Sequence, residues 1–217
     1  MTGTLPTLAV VGGTGALGSG LAGRWAAAGY PVVLGSRSAE KAAEAAKAIA
    51  RGVRGMDNRA AAAAGEIVVV TVPYASHEAI LGEIREAVQQ KIVVDTTVPL
   101  MPPKIGTVQL PPAGSAALEA KRILGESVRL VSAFQNVAAH KLRKGEEIDC
   151  DVLIAGDDRA AREAVAALAA AIGLRGIEAG PRANAVAAEA MTSVLNGINR
   201  RYKVDGAGNR ITGRLGG

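Results

Sequence analysis

Three glycines spaced as Gly13, Gly15 and Gly18, within Gly13-Thr14-Gly15-Ala16-Leu17-Gly18, give the backbone a turn that a ligand can approach closely. Such a loop presents amide N–H groups and the positive end of a following helix, and both attract phosphate. In that use Gly13 permits the tight turn, Gly15 admits a pyrophosphate to the backbone, and Gly18 lets the helix pack on the preceding strand. A chain rich in glycine also produces this spacing by chance. The context argues for the loop: the apolar run Leu8 to Val11 precedes it and the helical pattern Leu17 to Ala28 follows.

The next strand candidate, Pro31 to Leu34, stops at Gly35-Ser36-Arg37. An acid at that point would accept hydrogen bonds from ribose hydroxyls, and none is present. The Arg37 guanidinium pairs instead with a 2′-phosphate, with Ser36 and Lys41 as added donors, a pattern that favours NADP(H) over NAD(H). The alternative is that Arg37 and Lys41 are solvated surface charges. Two further strand ends, Thr71-Val72-Pro73-Tyr74 and Asp95-Thr96-Thr97-Val98-Pro99, supply Val72, Pro73, Val98 and Pro99 as borders for the ribose and nicotinamide; as punctuation, such prolines are also ordinary.

Proton transfer has two candidates in His77 and His140, but the sequence places no carboxylate beside either, so no catalytic residue is assigned. Asp149, Asp151, Asp157 and Asp158 have no metal-ligand spacing; Asp157 or Asp158 starts a helix as its cap. The lone Cys150 forms no internal disulfide and lacks the neighbours of a zinc or iron-sulfur site, so no metal is expected.

These residues need a sheet with helices to hold them. Of 217 residues 49% are hydrophobic yet only 2% aromatic, so the core is Ala, Val, Leu and Ile, as in helices laid on a parallel sheet. Strand patterns recur at Ile67 to Val72, Ile92 to Asp95, Val128 to Ala133 and Val152 to Ala155. Helical patterns lie at Ala39 to Ala50, His77 to Gln89, Ala116 to Leu124 and Arg159 to Ala171. That alternation predicts an α/β chain: a Rossmann-like, doubly wound, mostly parallel sheet over residues 1–182, then a small C-terminal helical part over 183–217. The stretch Leu100 to Ser115 is one long irregular loop, Ala60 to Ala64 is a helix-forming patch, and after Gly180-Pro181 one helix runs from Asn184 to Tyr202. The glycine-rich tail from Gly206 is either mobile or ordered by a partner. The net charge of +5 is scattered and lacks aromatics for base stacking, which argues against nucleic acid. No apolar run approaches a membrane span, and no basic leader opens the chain, so the expectation is a soluble, cytoplasmic protein.

Taken together, the ordered set resembles the NADPH:coenzyme F420 oxidoreductases. It comprises Val10 through Gly18, Gly35-Ser36-Arg37 with Lys41, Thr71-Val72-Pro73, Val98-Pro99-Leu100, Gly114-Ser115-Ala116-Ala117, Asp151 through Asp158 and Ala179-Gly180-Pro181. The resemblance spans nearly the whole chain. It implies a homodimer that passes hydride between NADP(H) and the deazaflavin coenzyme F420, with the NADP phosphates held by Thr14, Ser36, Arg37 and Lys41. The cofactor set it implies also takes in Gly13, Gly15, Ala16, Leu17, Gly18, Val72, Pro73, Val98, Pro99 and Ala133. The deazaflavin is expected beside Ala133 to Val137, with Gln135, Asn136, Val137 and Asn196 as its contacts. One position departs from the pattern: where the family has a His after the Ser-Ala-Phe strand end, this chain has Gln135-Asn136. An amide there hydrogen-bonds to a ring carbonyl without titrating.

Two other functions share the cofactor half. One is an NADPH-dependent reductase of another conjugated ring, a flavin or a pterin. The other is a non-catalytic NADPH-binding protein that uses its C-terminal helix and the Arg210 to Gly217 tail as an interaction arm.

Overall fold

Short runs of Val, Ile and Leu bounded by turn residues become strands buried on both faces, and the Ala-rich stretches between them become crossover helices. The computed structural model describes residues 4–49 and 52–214; Ala50 and the tail beyond Arg214 lie outside the described residues. Among the described residues eight strands form one sheet: β1 (Leu8–Val11), β2 (Val32–Ser36), β3 (Arg54–Asp57), β4 (Ile67–Val70), β5 (Ile92–Asp95), β6 (Arg129–Ser132), β7 (Asp151–Gly156) and β8 (Arg175–Gly180). The helices are α1 (Ala16–Ala27), α2 (Ala39–Ile49), α3 (Asn58–Ala64), α4 (Tyr74–Ile84), α5 (Ala116–Leu124), α6 (Ala139–Lys144), α7 (Arg159–Ala171) and α8 (Ala185–Tyr202).

The strand order is β3-β2-β1-β4-β5-β6-β7-β8, parallel throughout except where β7 runs against β6. From β1 the chain winds outward to β3, then returns to lay β4 on the other side of β1. At that reversal the loops after β1 and β4 diverge and leave a crevice above the carboxyl ends of the strands.

Along β1, Leu8 and Val10 join the apolar layer containing Trp25 and Leu168, while Ala9 and Val11 join the opposite layer with Leu81 and Leu124. Trp25 is fully buried, donates its indole N–H to the Leu168 carbonyl at 2.9 Å, and meets Phe134 edge-on at 5.8 Å.

Two strands escape the periodicity of the sequence. In β3 no residue is fully buried, and β8 is likewise half exposed, because both lie at sheet edges and carry charged and glycine residues. Helix α6 was also unforeseen. The cap left open between Asp157 and Asp158 is Asp158, whose carboxylate accepts from the Ala161 amide at 2.7 Å.

The described part of the tail is held by its own chain. Arg175 grips Asp151 with two 2.7 Å hydrogen bonds, and the second oxygen of Asp151 also accepts from the Ile211 amide. The Asp151 amide in turn donates to the Asn209 carbonyl, which lays the tail beside β7.

Candidate functional site

The glycine loop follows β1. Gly12, at φ +72°, makes the left-handed turn, and a Cβ there would meet Val72 Cγ1 at 2.5 Å. The tight turn expected of Gly13 thus belongs to Gly12. Gly13 is required for packing instead: its Cβ would lie 2.7 Å from the Val10 carbonyl oxygen and 2.5 Å from Leu34. Gly18 brings α1 down on the sheet, since a Cβ would stand 2.5 Å from Thr71 Oγ1 and 2.7 Å from Gly13 Cα.

Gly15 is different. Nothing but the Gly12 carbonyl oxygen, at 3.6 Å, stands near the place of its Cβ, and the residue is exposed. Helix α1 starts from it without a side-chain cap and without an acid in its first turn. The open space before uncapped amides fits a pyrophosphate. Thr14 and Ala16 are exposed and Leu17 half-buried along the same lip.

A residue that the sequence reading missed steadies the loop. Asn58, buried at the start of α3, accepts from the Gly12 amide at 3.3 Å, while its neighbour Asp57 caps α3 by accepting from Ala60 N–H at 2.8 Å. Beside them, Ser36 ends β2 half-buried, and Arg37 and Lys41 stand exposed; among the described residues neither cation joins an ion pair. Two uncommitted cations at this corner suit a 2′-phosphate.

Across the crevice, the segments that leave β4, β5 and β6 carry Val72-Pro73, Val98-Pro99 and Ala133. Pro73 is exposed, Val72 and Pro99 are buried, and Ala133 has no exposed surface. Below them lies an acid that sequence did not pair with any histidine: Asp95, at the end of β5, has Oδ2 2.9 Å from His77 Nε2, while Oδ1 accepts from the Thr97 amide at 3.0 Å. Both side chains are buried, which keeps the pair from touching a substrate and makes it a brace between α4 and the β5 loop. Burial pulls the His77 pKa down, but the charge and hydrogen bond of Asp95 outweigh it, and the net direction is up. His140 also has a carboxylate neighbour, Asp205 in the turn after α8, at 2.8 Å, an ion-pair distance without hydrogen-bond alignment.

A second buried acid, Glu189 of α8, reaches the start of α5, where it accepts from the Ala116 amide at 2.7 Å and the Ala117 amide at 3.1 Å. Burial pushes its carboxyl up to about 8, against the pull of those amides. The folded value lies above the usual 4.5, so the folded state holds a proton that the unfolded chain releases. Stability is therefore full below about pH 4.5 and is lost as pH rises through about 8, by up to about 1.4 kcal/mol per pH unit. His77, also raised, adds a loss of the same sign as pH passes its folded value. Thermal unfolding across this range should show Tm falling toward alkaline pH, with a shallower slope in Glu189→Gln. An unchanged slope in that variant would remove Glu189 from the account.

Beyond β6 the chain opens a cavity of about 200 Å³, lined by Gln135, Asn136, Val137, Thr192, Leu195 and Asn196 among others. Asn136 turns its amide away to hold α8, donating to the Ala188 carbonyl and Thr192 Oγ1, each at 2.9 Å. The structure thus gathers Gln135, Asn136, Val137 and Asn196 around one space, although Asn196 comes from a distant helix. Among the described residues no group of three acidic, histidine or cysteine side chains is placed to hold a metal ion, and no helix is long and apolar enough to cross a membrane.

A doubly wound sheet, a glycine loop at its reversal, a cationic corner and an adjoining cavity define a dinucleotide-binding protein of the Rossmann type. Residues 7–99 match the family described as NADP oxidoreductase, coenzyme F420-dependent. An F420-dependent NADP reductase of Methanothermobacter thermautotrophicus is 42% identical over 219 aligned residues, covering 94% of each chain. That of Methanocaldococcus jannaschii is 38% identical, covering 94% of this chain and 97% of its own. A crystal structure assigned as an F420-dependent NADP-reductase, from Arthrobacter sp. FB24, superposes with a TM-score of 0.82 at 26% identity, over 94% of this chain and 98% of that one. The chain belongs to the family of coenzyme F420-dependent NADP oxidoreductases.

Proposed function

We propose that this protein is an oxidoreductase that passes hydride between NADP(H) and the deazaflavin coenzyme F420. The observation that carries it is one continuous rim: the glycine loop, the strand ends of β4 and β5, and the cavity beyond β6 follow one another along the carboxyl edge of the sheet. Relatives named F420-dependent NADP reductases support the same reading. Transfer between two stacked rings needs proximity and exclusion of water more than an acid or a base. In this scheme the amides after Gly15 hold the pyrophosphate, Ser36, Arg37 and Lys41 hold the 2′-phosphate, and Val72, Pro73, Val98 and Pro99 border the nicotinamide. Gln135, Asn136, Val137 and Asn196 frame the second ring. His77 and Asp95 act at one remove, by bracing the β5 loop.

The test is oxidation of NADPH by the purified protein with coenzyme F420, FMN and a pterin in turn. Turnover with F420 and little with the others is the expected result; turnover on FMN or the pterin alone would assign a different acceptor, and tight NADPH binding with no turnover would make this a binding protein.

The working form is a homodimer in this reading. Met191 and Val194 expose apolar surface on α8, as do Ile105, Val108 and Leu110 on the long loop. A second copy of the chain is the natural cover. Light scattering should give twice the chain mass, and Val194→Asp should return it to one; a monomeric parent protein refutes the assignment. A buried, unpaired Cys150 is in keeping with a reducing, cytoplasmic setting.

A further inference from the structure

Helix α6 is too short to stand alone. It has six residues, starts without a side-chain cap and buries only Leu142, whereas isolated helices shorter than about 12 residues are already marginal in water. Its support comes from α1, the helix that starts at the glycine loop. Gly20 lets the two approach so closely that a Cβ would stand 2.8 Å from Leu142 Cβ. One turn further along α1, the half-buried Arg24 spreads its guanidinium over the end of α6: Nε donates to the Leu142 carbonyl at 3.2 Å, and Nη2 donates to the Lys141 carbonyl at 3.3 Å and to the Glu146 carbonyl. Among the described residues no other helix or strand packs on α6 as α1 does; further support comes from the turn at Asp205 and Gly206, which lies against Ala138 and His140.

Helix α1 in turn lacks what usually steadies a helix. Gly18, Gly20 and Gly23 interrupt its twelve residues, its first turn has neither a side-chain cap nor an acid, and a groove of about 550 Å³ opens along it between α2 and α6. A phosphate at its uncapped amides supplies both the cap and the negative charge. The far end of this arrangement is the cavity beyond β6, whose wall includes Ala138, Ala139 and His140 at the start of α6. Loop amides, α1, the Gly20 and Arg24 contacts, α6 and the cavity wall thus follow one another without a break.

We infer that dinucleotide phosphates held at the start of α1 order α6 through Gly20 and Arg24, so that the cavity wall is set before the second substrate arrives. Arg24 is then a positioning residue: it lies outside both sites, yet it makes the affinity of one depend on occupation of the other. A ligand that meets an ordered wall has no ordering left to impose, so the two substrates bind with positive coupling. By linkage the coupling is equal from either side. The inference rests on the proposed use of the glycine loop for NADP(H) and of the cavity for the deazaflavin.

The test uses the intact protein and 2′-phospho-ADP-ribose, which carries the phosphates of NADP⁺ without the nicotinamide, so that stacking of two rings contributes nothing. This probe should tighten coenzyme F420, titrated by quenching of its fluorescence, about fivefold or more. With no F420 present it should slow hydrogen exchange at the Leu142, Gly145 and Glu146 amides, which donate within the α6 segment. Arg24→Met keeps the apolar stem and removes the donors. In that variant F420 should bind within about twofold with or without the probe, and the KM for F420 should rise about fivefold or more while kcat stays within about twofold. Arg24→Lys should recover part of the coupling. Unchanged exchange in α6 of the parent protein, tightening by NADP⁺ but not by the probe, or undiminished coupling in Arg24→Met would each overturn the inference. NADPH oxidation is followed alongside: if F420 neither binds nor turns over, the proposed function fails and the exchange result alone decides the link from α1 to α6, whereas turnover with α6 untouched by the probe sinks the inference and keeps the function.

Discussion

Arg37→Asp should weaken NADPH by about 100-fold or more and NADH by no more than about threefold. The side chain stands exposed just beyond β2, shares its corner with Ser36 and Lys41, and has no acid of its own to lose. Removing it takes away a charge-assisted contact with the 2′-phosphate, and the new carboxylate adds repulsion against a group bearing nearly two negative charges. The NADH ribose has hydroxyls there, which a carboxylate can accept from, so that dinucleotide loses little. Parallel titrations with the two dinucleotides read the ratio. Equal weakening would place the 2′-phosphate elsewhere and leave Arg37 as a surface charge.

The second large effect separates two glycines of one motif. Gly15→Ala should leave Tm within a degree or two of the parent, by the absence of any near neighbour, and weaken NADPH about 10- to 100-fold by intruding on the pyrophosphate. Gly18→Ala should do the opposite. Its methyl would press on Gly13 Cα at 2.7 Å, a backbone atom that cannot swing aside. Overpacking of about 1–3 kcal/mol then exceeds the gain of about 1 kcal/mol in helix propensity, and Tm falls by several degrees. Calorimetry and dinucleotide titration on both variants check the pair. A Gly15→Ala protein with parental affinity would refute the open cradle as the pyrophosphate site.

Much of this was written locally. The bounds of β1, β5, α5 and α7 coincide with those read from apolar runs and helix formers, and most other elements agree within a few residues. The glycine loop was legible because its meaning lies in a contiguous strand, turn and helix, and the cationic corner because Ser36, Arg37 and Lys41 follow a strand end directly. Assigning the turn to Gly13 rather than Gly12 shows the limit: the motif gives the spacing, whereas in the fold it is Gly12 that takes the positive φ, with Val72, just beyond β4, leaving no room for a Cβ there.

Only the assembled sheet decided the rest. Asp95 meets His77 across 18 residues, Asn58 reaches Gly12 across 46, and Glu189 caps α5 from 73 residues away. The same holds for the amides that line the cavity, Gln135 and Asn136 beyond β6 and Asn196 and Asn199 on α8, and for a tail tied down by Asp151 and Arg175. Periodicity and propensity act over a few residues and set which segments become strands or helices. Strand order and helix docking set which distant polar groups are buried together, and a buried donor or acceptor must find its partner wherever the fold brings one.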